Sequence, residues 1–165
     1  MTLATGSAYG SAESPLPDMP LTNPSELKKL LLAEGFEVYR TLSDRIVLAD
    51  RVRDNLIMDS GVAVRPGAEP RLRFVVRAQA SDFPADSTEQ IFERARRMAE
   101  DAVARSYSEV ETNSVEVRDP GDSSRTLDTW YEVAFEKKLE SEADLVPELR
   151  YVLALEKTAP SDSRR

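Results

Sequence analysis

Apolar and polar residues first fall into a regular pattern near residue 23. Residues 1–22 hold three prolines among mostly small or polar side chains, which is typical of a disordered tail. Asn23 is a good helix N-cap, and the Pro24 that follows is favoured at the first helical position. Leucines then recur at helical spacing up to Gly35, a residue that commonly ends helices. The pattern predicts a helix over residues 24–34.

From residue 36 the apolar positions alternate with polar ones, which is the period of a half-buried strand. The alternation predicts strands over residues 36–42, 45–52, 56–64 and 71–80, and Gly61 is a candidate β-bulge in the third. The fourth strand has two distinct faces. One face carries Leu72, Phe74, Val76, Ala78 and Ala80, and the other carries Arg71, Arg73, Val75, Arg77 and Gln79.

Helical spacing returns at residues 87–107. Ser87 and Gln90 match a capping box, and the apolar face that follows is typical of a helix lying on a sheet. Two further strands are predicted over residues 109–118 and 126–138. Residues 148–157 fit a last strand, which would complete a hairpin with residues 126–138, although Leu145, Leu149 and Val152 also have helical spacing. We favour the strand, and we expect residues 158–165 to fray.

These elements predict a single α+β domain over residues 23–157, with the order α-ββββ-α-βββ. Because the connections are short, we expect a curved, mainly antiparallel sheet of about seven strands with two helices on one face. This element order is similar to that of the type III secretion chaperone-like domains. The resemblance implies a small acidic bacterial protein, dimeric and cytoplasmic, that binds extended segments of other proteins and ends in a helix.

Composition excludes several kinds of chemistry. The 165 residues include no Cys and no His, which removes the usual zinc sites, disulfides, iron–sulfur ligation and histidine-based catalysis. Standard nucleotide-binding loops are also missing, so we expect no cofactor. Since residues 1–10 resemble no signal peptide and no apolar run spans a bilayer, we expect a cytoplasmic protein without membrane contact.

Charge gives information about partners. The net charge of −8 argues against nonspecific nucleic-acid binding, which depends on basic side chains. Acidic and basic side chains balance over residues 1–80, so the whole excess lies on residues 81–165. This asymmetry is compatible with a basic partner, and more simply with a solubilising surface.

The most specific candidate site is the strand face with Arg71, Arg73, Val75 and Arg77, joined by Trp130 from a later strand. Arginine suits bidentate contact with carboxylates, and an aromatic residue beside arginine is typical of interface anchors. The alternative is a solvated face that carboxylates on adjacent strands balance. The leading hypothesis is a non-enzymatic protein–protein interaction module, an adaptor, regulator or chaperone-like protein. Its partner would be another protein or peptide, acidic if it met this face, or a second copy in a homodimer.

Other functions stay open. Asp50, Asp54 and Asp59 are a weaker candidate for a hard-cation site, since their spacing matches no calcium loop and nearby arginines would pair with them. A small-molecule-binding domain or a carboxylate-based enzyme would need a pocket between sheet and long helix, near Phe92, Met98 and Tyr107. A self-assembling structural component is a third hypothesis. No residue stands out as catalytic.

Overall fold

The computed structural model describes residues 19–161, so the predictions for residues 1–18 and 162–165 lie outside the described part. The helices are α1 (Met19–Thr22), α2 (Pro24–Ala33), α3 (Thr88–Arg97), α4 (Glu100–Ala104) and α5 (Glu142–Ala154). The strands are β1 (Val38–Thr41), β2 (Ile46–Arg53), β3 (Leu56–Arg65), β4 (Arg71–Gln79), β5 (Ser108–Asp119) and β6 (Asp122–Lys138).

The strands form one antiparallel sheet in the order β1-β2-β3-β4-β6-β5. The sheet does not close, so β1 and β5 are its edge strands. The predicted α+β class is confirmed. The structure has six strands where the sequence predicted about seven, because the last predicted strand is a helix.

Local sequence signals fix both ends of α2 as predicted. The Asn23 side chain accepts hydrogen bonds from the backbone N–H groups of Ser25 and Glu26. At the other end Gly35 has a φ of +92°, and the Phe36 N–H reaches back to the Leu31 carbonyl at 3.0 Å. This is a Schellman motif, which favours glycine at the left-handed position.

The predicted bulge at Gly61 is confirmed. Val47 of β2 pairs with Ala63 and Ala49 pairs with Asp59, so three β3 residues lie opposite one residue of β2. Gly61 takes a φ of +79°, and its N–H donates to the Asp59 carboxylate at 2.7 Å. The bulge takes the Gly61 N–H out of the hydrogen-bond ladder between the strands, and the Asp59 side chain supplies a new acceptor for it.

The prediction of one continuous helix over residues 87–107 is wrong, because the structure has two shorter helices there. The Ser87–Gln90 capping box is present, but the helix ends at Arg97 and α4 begins at Glu100. Between them the N–H groups of Met98 and Ala99 bond to carbonyls three residues back, at 3.0 Å each. This tighter turn interrupts the helix, which the side-chain spacing alone does not reveal.

The predicted strand over residues 148–157 is also wrong, since α5 runs through most of it. Burial decides in favour of the helical spacing, because Leu145, Leu149 and Val152 are all fully buried. Side chains bond to the backbone at both ends of α5, which contains Pro147. The Asp144 carboxylate accepts from backbone N–H groups at the start, and the Lys157 ammonium donates to the Val152, Leu153 and Leu155 carbonyls at the end.

The predicted terminal boundaries also change. The disordered tail predicted over residues 1–22 is wrong for residues 19–22, which form helix α1 with Leu21 buried. At the other end Thr158 forms a parallel bridge with Arg77 of β4. The Arg77 N–H donates to the Lys157 carbonyl, and the Ala159 N–H donates to the Arg77 carbonyl, both at 2.8 Å. Residues 158–161 are therefore part of the ordered chain.

The described chain divides into two compact units. The first comprises residues 19–72 and 138–149, and aliphatic side chains such as Leu27, Leu31, Leu48 and Val64 fill its core. The second comprises residues 73–137 and 150–161, and Phe74 lies in its core, 5.3 Å from the Tyr107 ring and 5.6 Å from the Phe135 ring. Within residues 19–161 no helix has the length and hydropathy needed to cross a bilayer.

Candidate functional site

Strand β4 separates its side chains into two faces as predicted. Leu72, Phe74, Val76 and Ala78 are all fully buried, and the intervening residues are partly exposed. Arg73, Val75 and Arg77 therefore lie together on the second face. We call these three residues and Trp130 the Arg–Trp face.

Arg77 and Trp130 are in direct contact on this face. The Arg77 guanidinium carbon lies 4.4 Å from the centroid of the indole ring, within the range of a cation–π interaction. The same guanidinium pairs with Glu132 of β6 at 3.1 Å. The ring is half-buried, so the guanidinium covers part of the aromatic surface and leaves part of it accessible.

Arg73 forms the most buried ion pair of the face. Its guanidinium donates to Glu111 of β5 at 2.8 Å and to Glu136 of β6 at 3.3 Å. The side chains of Arg73 and Glu136 are 15% and 5% exposed, respectively. The Glu136 carboxylate is therefore largely removed from water, with the Arg73 guanidinium beside it.

Arg71 is placed differently from the other predicted site residues. It belongs to the first compact unit, and its guanidinium lies 3.5 Å from Glu69 in the preceding turn. The structure thus brings Arg77 and Trp130 into contact, and it places Arg73 and Val75 on the same strand face. Arg71 instead lies beside Glu69, two residues before it in the chain. Carboxylates of neighbouring strands balance Arg73 and Arg77, as the alternative interpretation expected.

Strand β5 is a second candidate surface, which the sequence analysis did not single out. It is a twelve-residue edge strand whose side chains are exposed from Ser108 through Glu116. Within residues 19–161 its only strand neighbour is β6. The pairing is regular from Glu111, opposite Ala134, to Val117, opposite Asp128.

A cleft of about 490 Å³ lies next to the beginning of β5. Its apolar lining comes from Val103 of α4, Tyr107 and Phe135. Tyr107 and Phe135 are buried, whereas Val103 is 53% exposed and forms an accessible wall. Ser108 and Glu109, the first residues of β5, complete the side that faces the edge strand.

The charged side chains that line this cleft are Arg96, Glu100 and Glu109. Arg96 of α3 pairs with Glu109 at 2.9 Å, with Glu93 at 2.7 Å and with Glu89 at 3.0 Å. The bond to Glu109, more than those to the other two carboxylates, raises the pKa of Arg96 above its usual value, while partial desolvation opposes the rise. Glu100 also lines the cleft, and no ion-pair partner for it is found within the described chain.

A second Schellman motif positions Tyr107 at the floor of the cleft. The Ser106 N–H donates to the Val103 carbonyl, and the Tyr107 N–H donates to the Ala102 carbonyl at 3.1 Å. Ser106 takes a φ of +80°, a left-handed conformation that costs free energy for a residue with a Cβ atom. The motif ends α4 and turns the chain into β5.

The other sites considered from the sequence have different outcomes. The predicted pocket region keeps only Tyr107, because Phe92 packs edge-to-face on Tyr131 at 5.1 Å and Met98 is not among the cleft residues. The Asp59 carboxylate of the proposed aspartate group instead accepts from the Gly61 N–H. Among the residues that the structure describes, no three His, Cys, Asp or Glu side chains lie together as a metal site would require.

The cleft and the edge strand could be found only in part from the sequence. The run of residues 108–119 lacks proline and lysine, which commonly protect edge strands. Whether a strand lies at the edge depends on sheet order, and no local pattern encodes that order.

Comparison of the chain with protein-family models, with curated proteins and with solved structures finds no match.

Proposed function

We propose that this chain is a non-enzymatic protein–protein interaction module that receives an extended segment of another protein along the outer edge of β5. The observation that carries the proposal is the length and regularity of this edge strand. An edge strand presents a row of unpaired N–H and C=O groups, and an extended peptide satisfies them by adding a strand.

Natural edge strands are usually protected by lysine, proline, short length or bulges. β5 has bulges near both of its ends, but the seven residues from Glu111 to Val117 are regular and contain neither lysine nor proline. Seven residues are enough for a typical strand, whose usual length is about five or six residues. The regular stretch is therefore the proposed docking edge.

Charge favours a partner other than a second copy of this chain. β5 carries Glu109, Glu111, Glu116 and Asp119 against a single Arg118. Two copies pairing edge to edge would bring two acidic strands together, which is unfavourable. A partner segment with lysine or arginine would be attracted instead. A homodimer is the alternative outcome that the experiment below distinguishes.

The Arg–Trp face is a second proposed docking surface for the same function. Its support is the half-exposed Trp130 held by Arg77, since tryptophan and arginine are enriched among residues that anchor interfaces. The carboxylates that already pair with Arg73 and Arg77 count against an acidic partner there, because such a partner would have to displace them.

A small-molecule-binding function is the competing proposal. The cleft beside β5 has a volume within the range of ligand sites, about 300–1,000 Å³. Its position at the edge strand supports the protein-interaction proposal better, since a strand added to β5 would run past it.

Two proline variants on β5 test strand addition. In an antiparallel edge strand, successive residues direct their N–H groups alternately to the neighbouring strand and to the free edge. One of Asn113→Pro and Ser114→Pro therefore breaks a bond to β6, while the other removes only an outward donor. The variant that keeps the parent melting temperature is the edge-blocked protein, and the other reports the cost of breaking the ladder.

A library of phage-displayed random dodecapeptides is then selected on the parent protein and on the edge-blocked variant. We expect peptides enriched in β-forming residues to bind the parent and to lose about tenfold or more in affinity for the variant, equivalent to losing one or more backbone hydrogen bonds. Equal binding to both proteins would contradict docking at β5. Concentration-dependent dimerisation of the parent, abolished in the variant, would show that a second copy occupies the edge.

A further inference from the structure

We infer that the cleft beside β5 is a side-chain pocket that selects a large apolar residue of the docked segment, accompanied by a basic residue. The inference rests on the proposed function, because the docked strand delivers the side chain. It goes further by naming the chemistry that the partner must carry.

The position of the cleft relative to the strand supports the first step. Ser108 and Glu109 line it, and both belong to the beginning of β5. A strand docked along Glu111–Val117 would pass beside these residues where it continues past the bulge between Glu109 and Glu111. Side chains of an extended peptide alternate between the two sides of the sheet, so one set of them would point toward α4.

The lining supports an apolar anchor. The rings of Tyr107 and Phe135 form its buried base, and Val103 presents an exposed aliphatic wall. Val103 at 53% exposure leaves apolar surface that a leucine, methionine or phenylalanine side chain would remove from water. A cleft of about 490 Å³ has room for one such side chain.

The rim supports a basic neighbour. Glu100 and Glu109 line the cleft with Arg96, whose guanidinium also pairs with Glu89 and Glu93 and is therefore already neutralised. The Lys137 ammonium lies 5.6 Å from the centroid of the Tyr107 ring, so the carboxylates still outnumber the cations. A lysine or arginine two positions from the anchor in an extended peptide falls on the same side of the sheet, toward these carboxylates. An acidic residue at that position would be repelled.

Synthetic peptides provide the probe. The parent peptide is a fluorescein-labelled decapeptide of alternating threonine and valine, with one leucine and, two positions later, one lysine. The first variant replaces leucine by serine, and the second replaces lysine by glutamate. We expect the leucine-to-serine change to weaken binding by about tenfold, the loss expected from exposing one large apolar side chain. The lysine-to-glutamate change should also weaken it, and added salt should reduce that difference.

Two variants of the chain form a matched pair for the same titrations. Val103→Lys places a charge on the wall of the cleft, and Leu32→Lys makes the same kind of change at an exposed leucine of α2, 52% accessible. Because both positions are exposed, both variants should fold, which thermal unfolding verifies. Only Val103→Lys should remove the preference for leucine over serine.

The outcomes separate the two proposals. Equal affinity for the leucine and serine peptides, with binding still lost in the edge-blocked variant, would overturn the pocket and leave strand addition standing. If no peptide binds, or if binding is insensitive to the edge-blocked variant, strand addition fails and the pocket inference fails with it. Binding of N-acetyl-leucinamide as tight as that of the whole peptide would overturn both and favour the small-molecule function.

Discussion

The Arg77 guanidinium carbon lies 4.4 Å from the centroid of the Trp130 ring, and the same guanidinium reaches Glu132 at 3.1 Å. One side chain therefore links an aromatic surface to a carboxylate on the neighbouring strand. Because Trp130 is the only tryptophan of the chain, its fluorescence reports on this contact directly.

We predict that Arg77→Gln exposes the indole ring. Loss of the cation–π contact should cost about 1 kcal/mol of unfolding free energy and increase quenching of Trp130 fluorescence by acrylamide. Arg71→Gln is the matched control, since Arg71 lies beside Glu69 instead. Identical quenching of both variants would contradict the role assigned to Arg77.

Arg73 should contribute more to stability than the other arginines of β4. Arg73→Met removes the guanidinium that pairs with the buried Glu136 carboxylate, and we expect the free energy of unfolding in urea to fall by about 3 kcal/mol. Arg71→Met should cost less than about 0.5 kcal/mol, because its pair is exposed. The double variant Arg73→Met/Glu136→Leu should recover most of the loss, and failure to recover would show that the pair does not act as a unit.

The two Schellman motifs should respond in opposite ways to substitution at their left-handed residue, which is a glycine in one and a serine in the other. Gly35→Ala forces a Cβ atom into a left-handed conformation and should reduce the unfolding free energy by about 1 kcal/mol. Ser106→Gly relieves the same strain at the end of α4 and should increase it by up to about 1 kcal/mol. Thermal and urea unfolding measure both changes. A destabilised Ser106→Gly variant would mean that the serine side chain has a further role.

The pair of Glu37 and Arg51 should make stability depend on pH. The hydrogen bonds from Arg51 hold the pKa of Glu37 below 4.5, the usual value for a glutamate side chain. A carboxyl group whose pKa is lowered by folding stabilises the protein above its unfolded pKa and loses that contribution as pH falls through its folded pKa. The difference in unfolding free energy between the parent and Glu37→Gln should therefore have its largest value at about pH 6 and decrease below about pH 4.

Urea unfolding at steps between neutral and acidic pH measures this difference. Arg51→Gln removes the other partner and should show the same reduced pH dependence. A difference that stays constant across the whole range would show that Glu37 contributes by packing and not by charge.

Features decided by local chemistry were predictable from the sequence. The caps of α2 and the capping box of α3 depend on side chains within three residues of the helix start, and the two faces of β4 depend on simple alternation. The spacing of apolar residues over 148–157 fits both a helix and a strand. Only the burial of Leu145, Leu149 and Val152 shows that the segment is a helix. Such burial depends on tertiary packing, which a single local pattern does not contain.

The candidate sites show the same division. The arginines of β4 were recognisable on one strand, and their balance by carboxylates was considered, but the specific partners Glu111, Glu132 and Glu136 depend on the order β4-β6-β5. The exposed edge of β5 depends on that order too. The cleft at its beginning combines residues of α3, α4, β5 and β6, which no local pattern brings together.

The hydrogen bonds between Arg77 and residues 157–159 also have a consequence for biosynthesis. Synthesis proceeds from the N-terminus, so β4 emerges from the ribosome long before the segment that bonds to Arg77. During that interval the Arg77 N–H and carbonyl lack these partners, and this part of the nascent sheet is exposed to other chains. Completion of this part of the sheet therefore waits for the synthesis of residues 157–159, and nascent chains stalled before residue 159 should be more prone to aggregation than chains that contain these residues.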